Sequence, residues 1–204
     1  MDRTPGKAGR AGPGLGDQKV RILSEALDLF VANGFAATGM RQIAARMDFS
    51  VAALCYHFRF KDDLLLALTE PLLASREERL DRFEADAPLT LEQKRDLIDS
   101  YVSLLLDDVQ ITRFVIQDPT VRSHPGVGPR LGNGMGRFQR LLVGPRADQS
   151  DLVIATAAIG AFCRPILEFE GIDLKPMRSH LVDAAVTIVA LGEDRRRGRR
   201  RKRR

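Results

Sequence analysis

Along most of the chain apolar residues recur three and four apart, and strict polar-apolar alternation is almost absent. That period predicts helices throughout and an all-α fold class. A first helix is expected over 17–33, with Asp17 as its cap and Ile22, Leu23, Ala26, Leu27 and Phe30 as its buried stripe. Asn33-Gly34 ends it, because glycine reaches the left-handed conformation that closes a helix. Between Thr38 and Lys61 the period yields two short helices about a three-residue joint. Met40, Ile43, Ala44 and Met47 form the stripe of one, and Ser50 is placed to cap the other through its hydroxyl. In that second helix Leu54 and Phe58 fall on one side, while Ala52, Ala53 and Tyr56 cluster on the opposite side.

From Lys61 the pattern predicts a long helix to about Ala85, broken or kinked at Pro71. Thr90 caps the next, in which Leu91, Leu97, Ile98, Tyr101 and Leu105 recur inward, and a shorter helix follows over 109–117. Prolines and glycines crowd between Pro119 and Gly136, so this stretch is expected to be a loop, either a pocket lid or a plain surface crossover. Helix resumes over 135–143. Two last helices, over 151–169 and 175–191, are rich in alanine, which lets helices approach closely. They serve either a four-helix dimer interface or packing within one chain.

Composition changes this picture at the ends. The 204 residues, 44% hydrophobic and without tryptophan, can bury a substantial aliphatic core. The net charge of +5 belongs to a tail: nine of the last ten residues are Lys or Arg, and the rest holds 23 basic against 27 acidic residues. The expected organisation is a disordered arm at 1–16, a helix-turn-helix domain at 17–61, a larger helical domain at 62–194 and a basic disordered tail at 195–204. The arm is either inert or places Arg3, Lys7 and Arg10 on phosphates. Cys55 and Cys163 lie in unrelated contexts, which argues against a disulfide and fits a reducing cytoplasm. No signal peptide is expected, and the uncharged apolar run 152–163 is too short to span a membrane.

Two short helices about a tight joint are the mark of a helix-turn-helix. An outward face of alanines and one tyrosine suits a major groove, where alanine touches thymine methyls and tyrosine reaches a phosphate or base edge. Spacing alone serves an ordinary core helix equally well. The residues themselves go further. The run from Ile22 to Leu64, with ALDLFVANGFAATGMRQIAARMDFSVAALCYHFRFKDDLL at its centre, resembles the DNA-binding domain of the TetR family of bacterial transcriptional regulators. The likeness rests on Gly34-Phe35, Thr38, Arg41 to Ala44, Ser50, Leu54, the Tyr56-His57-Phe58 triplet, and Lys61 before Leu64, about a fifth of the chain.

The resemblance implies a three-helix DNA-binding head followed by a larger helical ligand-binding and dimerisation domain. It places Thr38, Arg41, Ser50, Val51, Ala52, Ala53, Tyr56, His57 and Lys61 at double-stranded DNA, with Arg41 reaching a base edge or phosphate and Tyr56, His57 and Lys61 against the backbone. It further implies a homodimer on a palindromic operator, most simply a repressor released by a small, largely apolar effector. Val51 stands where the family often has lysine, Cys55 where it usually has tyrosine, and Asp48 where it usually has glycine, so two common phosphate contacts are missing. The arginine tail is one possible substitute for them. Tyr101, Leu105, Phe114, Phe138, Phe162, Cys163, Ile166 and Phe169 are expected to line the effector pocket if the body closes in the usual order.

No enzyme is expected. His57, His124 and His180 stand apart without metal-ligand spacing, GNGMG at 132–136 lacks the preceding strand of a dinucleotide fingerprint, and no P-loop or GxSxG occurs, so neither a metal nor a cofactor is implied. Two other classes compete: a helical small-molecule-binding protein with weak or lost DNA binding, and a non-specific nucleic-acid binder driven by the tail.

Overall fold

Gly34 decides where the first helix ends. In the computed structural model, which describes residues 15–84 and 87–202, α1 (Leu15–Asn33) stops as Gly34 turns to φ 83° and its N–H donates to the Phe30 carbonyl at 2.8 Å. The helix begins two residues before Asp17, which therefore lies in the first turn, where a carboxylate suits the helix dipole, rather than at the cap. Arg3, Lys7 and Arg10 of the expected arm lie outside the described residues.

The chain divides into two units, residues 1–64 and 65–204. In the first, α2 (Met40–Arg46) and α3 (Val51–His57) follow α1. The Gln42 side chain accepts the Gly39 N–H at 2.7 Å and so closes the start of α2. Asp48 in the joint has φ 56°, in the left-handed region that a short polar side chain tolerates. Ile22, Ala26, Phe30, Phe35, Ile43 and Leu54 form the core of this unit. Each large side chain so buried contributes about 1.5 to 3 kcal/mol before the entropy of ordering is subtracted.

α4 (Lys61–Asp81) starts in the first unit and runs through Pro71 without interruption, so no break occurs there. In the second unit, burial of Leu65, Thr69, Leu73, Arg76 and Leu80 along one stripe offsets the backbone hydrogen bond that proline cannot make. α5 (Leu91–Asp107) opens on the Thr90–Gln93 capping box, α6 (Val109–Gln117) on Asp108, and α9 (Gln149–Glu168) on the Asp148–Asp151 box. A single 3-10 turn, Lys175–Met177, leads into α10 (Arg178–Lys202). The core joins α5, α8, α9 and α10 around Tyr101, Phe138 and Phe162, whose ring centroids lie 4.4 to 6.1 Å apart. No strand occurs among the described residues, and the fold is all-α.

Three stretches differ from the sequence-based expectation. The Gly/Pro-rich segment after residue 118 is helix: Asp118 caps α7 (Pro119–Ser123) with Pro119 at its first turn, and α8 (Gly128–Val143) follows after a short link. Two of its glycines answer close approaches rather than flexibility. A Cβ at Gly128 would sit 2.3 Å from the Arg122 carbonyl oxygen, and one at Gly134 within 2.6 Å of the Arg76 guanidinium. The basic tail is also helical as far as Lys202. Arginine and lysine are good helix formers, and Arg196 bonds the Asp151 carboxylate and the Val143 carbonyl, the latter at 2.7 Å. Finally, α9 is long and apolar enough to cross a membrane by length and composition, since the helix extends beyond the uncharged run 152–163. Its Ala155, Ala158, Ile159, Phe162 and Ile166 are buried in the core of the second unit.

Candidate nucleic-acid interface and cavity

What α3 shows to solvent follows from what it buries. Leu54 is fully buried, Phe58 nearly so, and the Phe58 N–H donates to the Leu54 carbonyl at 3.0 Å. Ser50 Oγ accepts the Ala53 N–H at 3.1 Å and sets the first turn. With those positions pinned, Val51, Ala52 and Ala53 face outward and Tyr56 is 77% exposed. Large exposed apolar side chains are more informative than buried ones, because water does not favour them. Arg41 on α2 is exposed as well.

Thr38 and Lys61 do not join this face. Thr38 is buried, and its hydroxyl donates to the Gly34 carbonyl at 2.9 Å and to that of Leu29 at 3.2 Å. Lys61 Nζ donates to the carbonyls of Phe35 at 2.7 Å and Thr38 at 2.9 Å, and lies 4.3 Å from the Phe35 ring centroid. The connection between α1 and α2 leaves these carbonyls without helical partners, and the ammonium supplies the donors. Both side chains expected at DNA are thus engaged inside the head. His57 is half-buried, with its ring edge-on to Tyr56 at 5.3 Å and its Nδ1 buried without a hydrogen bond, so that nitrogen is not presented outward. Arg46 is tied to Glu25 at 2.7 Å, linking α2 to α1. Arg59, an exposed cation directly after the Tyr56-His57-Phe58 triplet, was overlooked in the sequence; its guanidinium lies 5.1 Å from the Phe60 ring centroid.

The second unit holds a cavity of about 500 Å³ that is partly open to solvent. Its walls are mostly apolar, from Leu72 and Leu73 of α4, Leu105 of α5, Val115 of α6, and Leu131 and Met135 of α8. Of the eight residues expected there, Tyr101, Leu105 and Cys163 line it. Phe138, Phe162 and Ile166 are buried in the main core instead, the two rings packed against Tyr101. Phe114 is buried without lining the cavity, and Phe169 is half-exposed at the end of α9, its carbonyl accepting from Arg113 at 2.6 Å. Aromatic side chains were the obvious pocket candidates in the sequence, but their area is better used filling the core.

The polar side chains of the lining went unnoticed because they sit on apolar stripes. Arg76 is 5% exposed; one guanidinium nitrogen donates to the Arg130 carbonyl, and its Nε has no partner. Its spacing held a signal, since the steps of four, four, three and four from Leu65 through Thr69, Leu73 and Arg76 to Leu80 put it on the inward stripe. Thr112 is fully buried and its hydroxyl has no partner. Burial pushes the Tyr101 hydroxyl above its ordinary pKa, with the Arg76 cation acting in the opposite direction, and burial pushes the Cys163 thiol up to about 12. Both are therefore neutral at pH 7, and Cys163 is not an activated nucleophile.

Residues 22–68 match the model of bacterial regulatory proteins of the tetR family. This segment is a TetR-family DNA-binding domain. Among its relatives, the "Probable HTH-type transcriptional regulator YttP" of Bacillus subtilis is 30% identical over 107 residues, 52% of this chain and 52% of that protein. The "Uncharacterized HTH-type transcriptional regulator YerO" of the same organism is 32% identical over 72 residues, 35% of this chain and 25% of that one. The chain thus spans about half, or less, of the curated relatives it matches. The fold of the chain resembles Mycobacterium smegmatis AmtR, with a TM-score of 0.67 at 17% identity over 93% of this chain and 89% of that one. It also resembles a TetR-like regulator from Rhodococcus sp. RHA1, with a TM-score of 0.64 at 19% identity over 91% and 99%.

Proposed function

We propose that this protein is a homodimeric transcriptional regulator of the bacterial cytoplasm that binds a palindromic operator in double-stranded DNA and is released from it when a small molecule occupies the cavity of the second unit, which makes it a repressor. The observation that carries the DNA half is the outward face of α3, where Val51, Ala52, Ala53 and Tyr56 are exposed only because Leu54 and Phe58 are buried. Small apolar side chains enter a major groove without clash and touch thymine methyls, and Tyr56 reaches a phosphate or base edge. Arg41 supplies the base-specific contact, and Arg59 adds a phosphate contact that Lys61 cannot make.

The dimer half rests on α9 and α10, which pack on each other and still expose Leu152, Val153, Ala157, Gly160, Ala184 and Leu191. Two such helix pairs brought together form a four-helix interface and bury that surface. In a dimer the two α3 helices would read half-sites about 34 to 36 Å apart. Effector and DNA then weaken one another reciprocally.

Selection of bound fragments from a random duplex pool tests this reading. The expected product is a two-fold symmetric site with half-sites about one helical turn apart. Recovery of fragments without shared sequence, bound with the same affinity as random duplex, would overturn it.

A further inference from the structure

We propose that the cavity takes an amphipathic carboxylate, its apolar body against the leucine-rich wall and its anionic head at Arg76. The proposal deepens the effector reading above and rests on it. A guanidinium withdrawn from water needs an opposite charge, since a buried unpaired ion is among the costliest features a fold can hold. Arg76 lies on the cavity wall, and among the described residues no carboxylate pairs with it. Glu70 and Glu77 of its own helix grip Arg130 at 2.6 and 2.9 Å, and Arg76 acts on Glu77 through space without bonding it. Its Nε is a donor without an acceptor.

A second orphan lies beside the same space. Thr112 is among the residues around the cavity, and its hydroxyl is buried without a hydrogen bond. Orphaned buried polar groups are rare, and two of them on residues around one mostly apolar cavity mark where a ligand's polar end belongs. A guanidinium and a hydroxyl are both donors of the kind a carboxylate's two oxygens accept. A phosphate brings nearly a second negative charge, which one buried guanidinium does not balance; Arg122 also lines the cavity but is exposed and keeps its hydration. Gly134 completes the arrangement, because any larger residue there would intrude on the guanidinium.

The test is calorimetric titration of the full chain at pH 7.5 with straight-chain carboxylates from hexanoate to dodecanoate, the primary alcohols of equal length, and decyl phosphate, all below their micellar concentrations. At least one carboxylate is expected to bind about tenfold or more tightly than its alcohol. In Arg76→Met that ratio should fall to about one while the alcohol's own affinity is retained, and in Gly134→Ala it should fall several-fold. Alcohols binding as tightly as carboxylates, a preference that persists in Arg76→Met, tighter binding of decyl phosphate, or no binding by any chain length each overturns the proposal. If Arg76→Met does not fold, the wild-type ratio and Gly134→Ala decide. Alcohols that match the carboxylates and still release operator DNA would sink the anion assignment and leave the effector reading intact, whereas failure to select any operator would strike the regulatory reading alone.

Discussion

Lys61→Met separates a structural lysine from a DNA contact. Its ammonium makes two good hydrogen bonds to main-chain carbonyls, at 2.7 and 2.9 Å, and a contact with the Phe35 ring. A bond from a charged donor is worth about 1.5 to 3 kcal/mol when fully buried. These are only part-buried and water replaces some of what is lost, so the low end applies and the loss should be about 2 to 3 kcal/mol. That falls on the head, and native-state hydrogen exchange reads it: core amides of α1 and α2 that exchange through opening of the head should do so about 30- to 150-fold faster. The slope of log affinity for DNA against log salt should not change, because no phosphate contact is lost. Unaltered exchange together with a slope reduced by about one would show that Lys61 meets a phosphate, and would refute the structural assignment.

Three further changes probe separate parts of the chain. Arg41→Ala should cost about 1 to 3 kcal/mol at a single base position of the selected operator, read by competition against point-substituted sites; a uniform loss across all sequences would reassign Arg41 to the backbone. Asp48→Gly relieves a left-handed residue with φ 56° and should stabilise the head by about 0.5 to 1 kcal/mol in urea unfolding, a loss of stability being the contrary result. Arg196→Met should cost about 1 to 2 kcal/mol near neutrality. The Arg196 guanidinium bonds the Asp151 carboxyl and holds its pKa below the usual range. A depressed carboxylate stabilises above its unfolded pKa of about 3.9 and loses that contribution as pH falls through the folded value. The gap between wild type and variant should therefore stay level from pH 7 to about 4 and close below it; a gap that widened in acid would contradict the pairing.

Much of the head was legible in the sequence because its determinants are local. Gly34 must be left-handed to end α1, Ser50 sits one residue ahead of α3, and the four-residue step from Leu54 to Phe58 sets the buried side. What each exposed-looking polar residue does was not legible. Thr38 and Lys61 carry the same chemistry whether they meet a phosphate or a carbonyl, and only the approach of Gly34 to Thr38 on one side and Lys61 on the other decides which. The misread segment over 119–136 has a similar cause: composition marks glycine as flexible, whereas Gly128 and Gly134 are small because an Arg122 carbonyl and the Arg76 guanidinium occupy the neighbouring space.

By itself the sequence determined the all-helical class, the two short helices about their joint and the side of α3 that faces outward, since each follows from the 3.6-residue period and from residues a few places apart. Tertiary structure alone decided which inward-facing residues make solid core and which surround a cavity. Tyr101, Phe138 and Phe162 share the same hydrophobic pattern, yet packing seals two of the rings into the core and leaves Tyr101 on the wall beside Arg76 and Thr112. Hydrophobic burial is non-directional, so periodicity records that a side chain leaves water and carries no record of the neighbours, or the ligand, that it meets there.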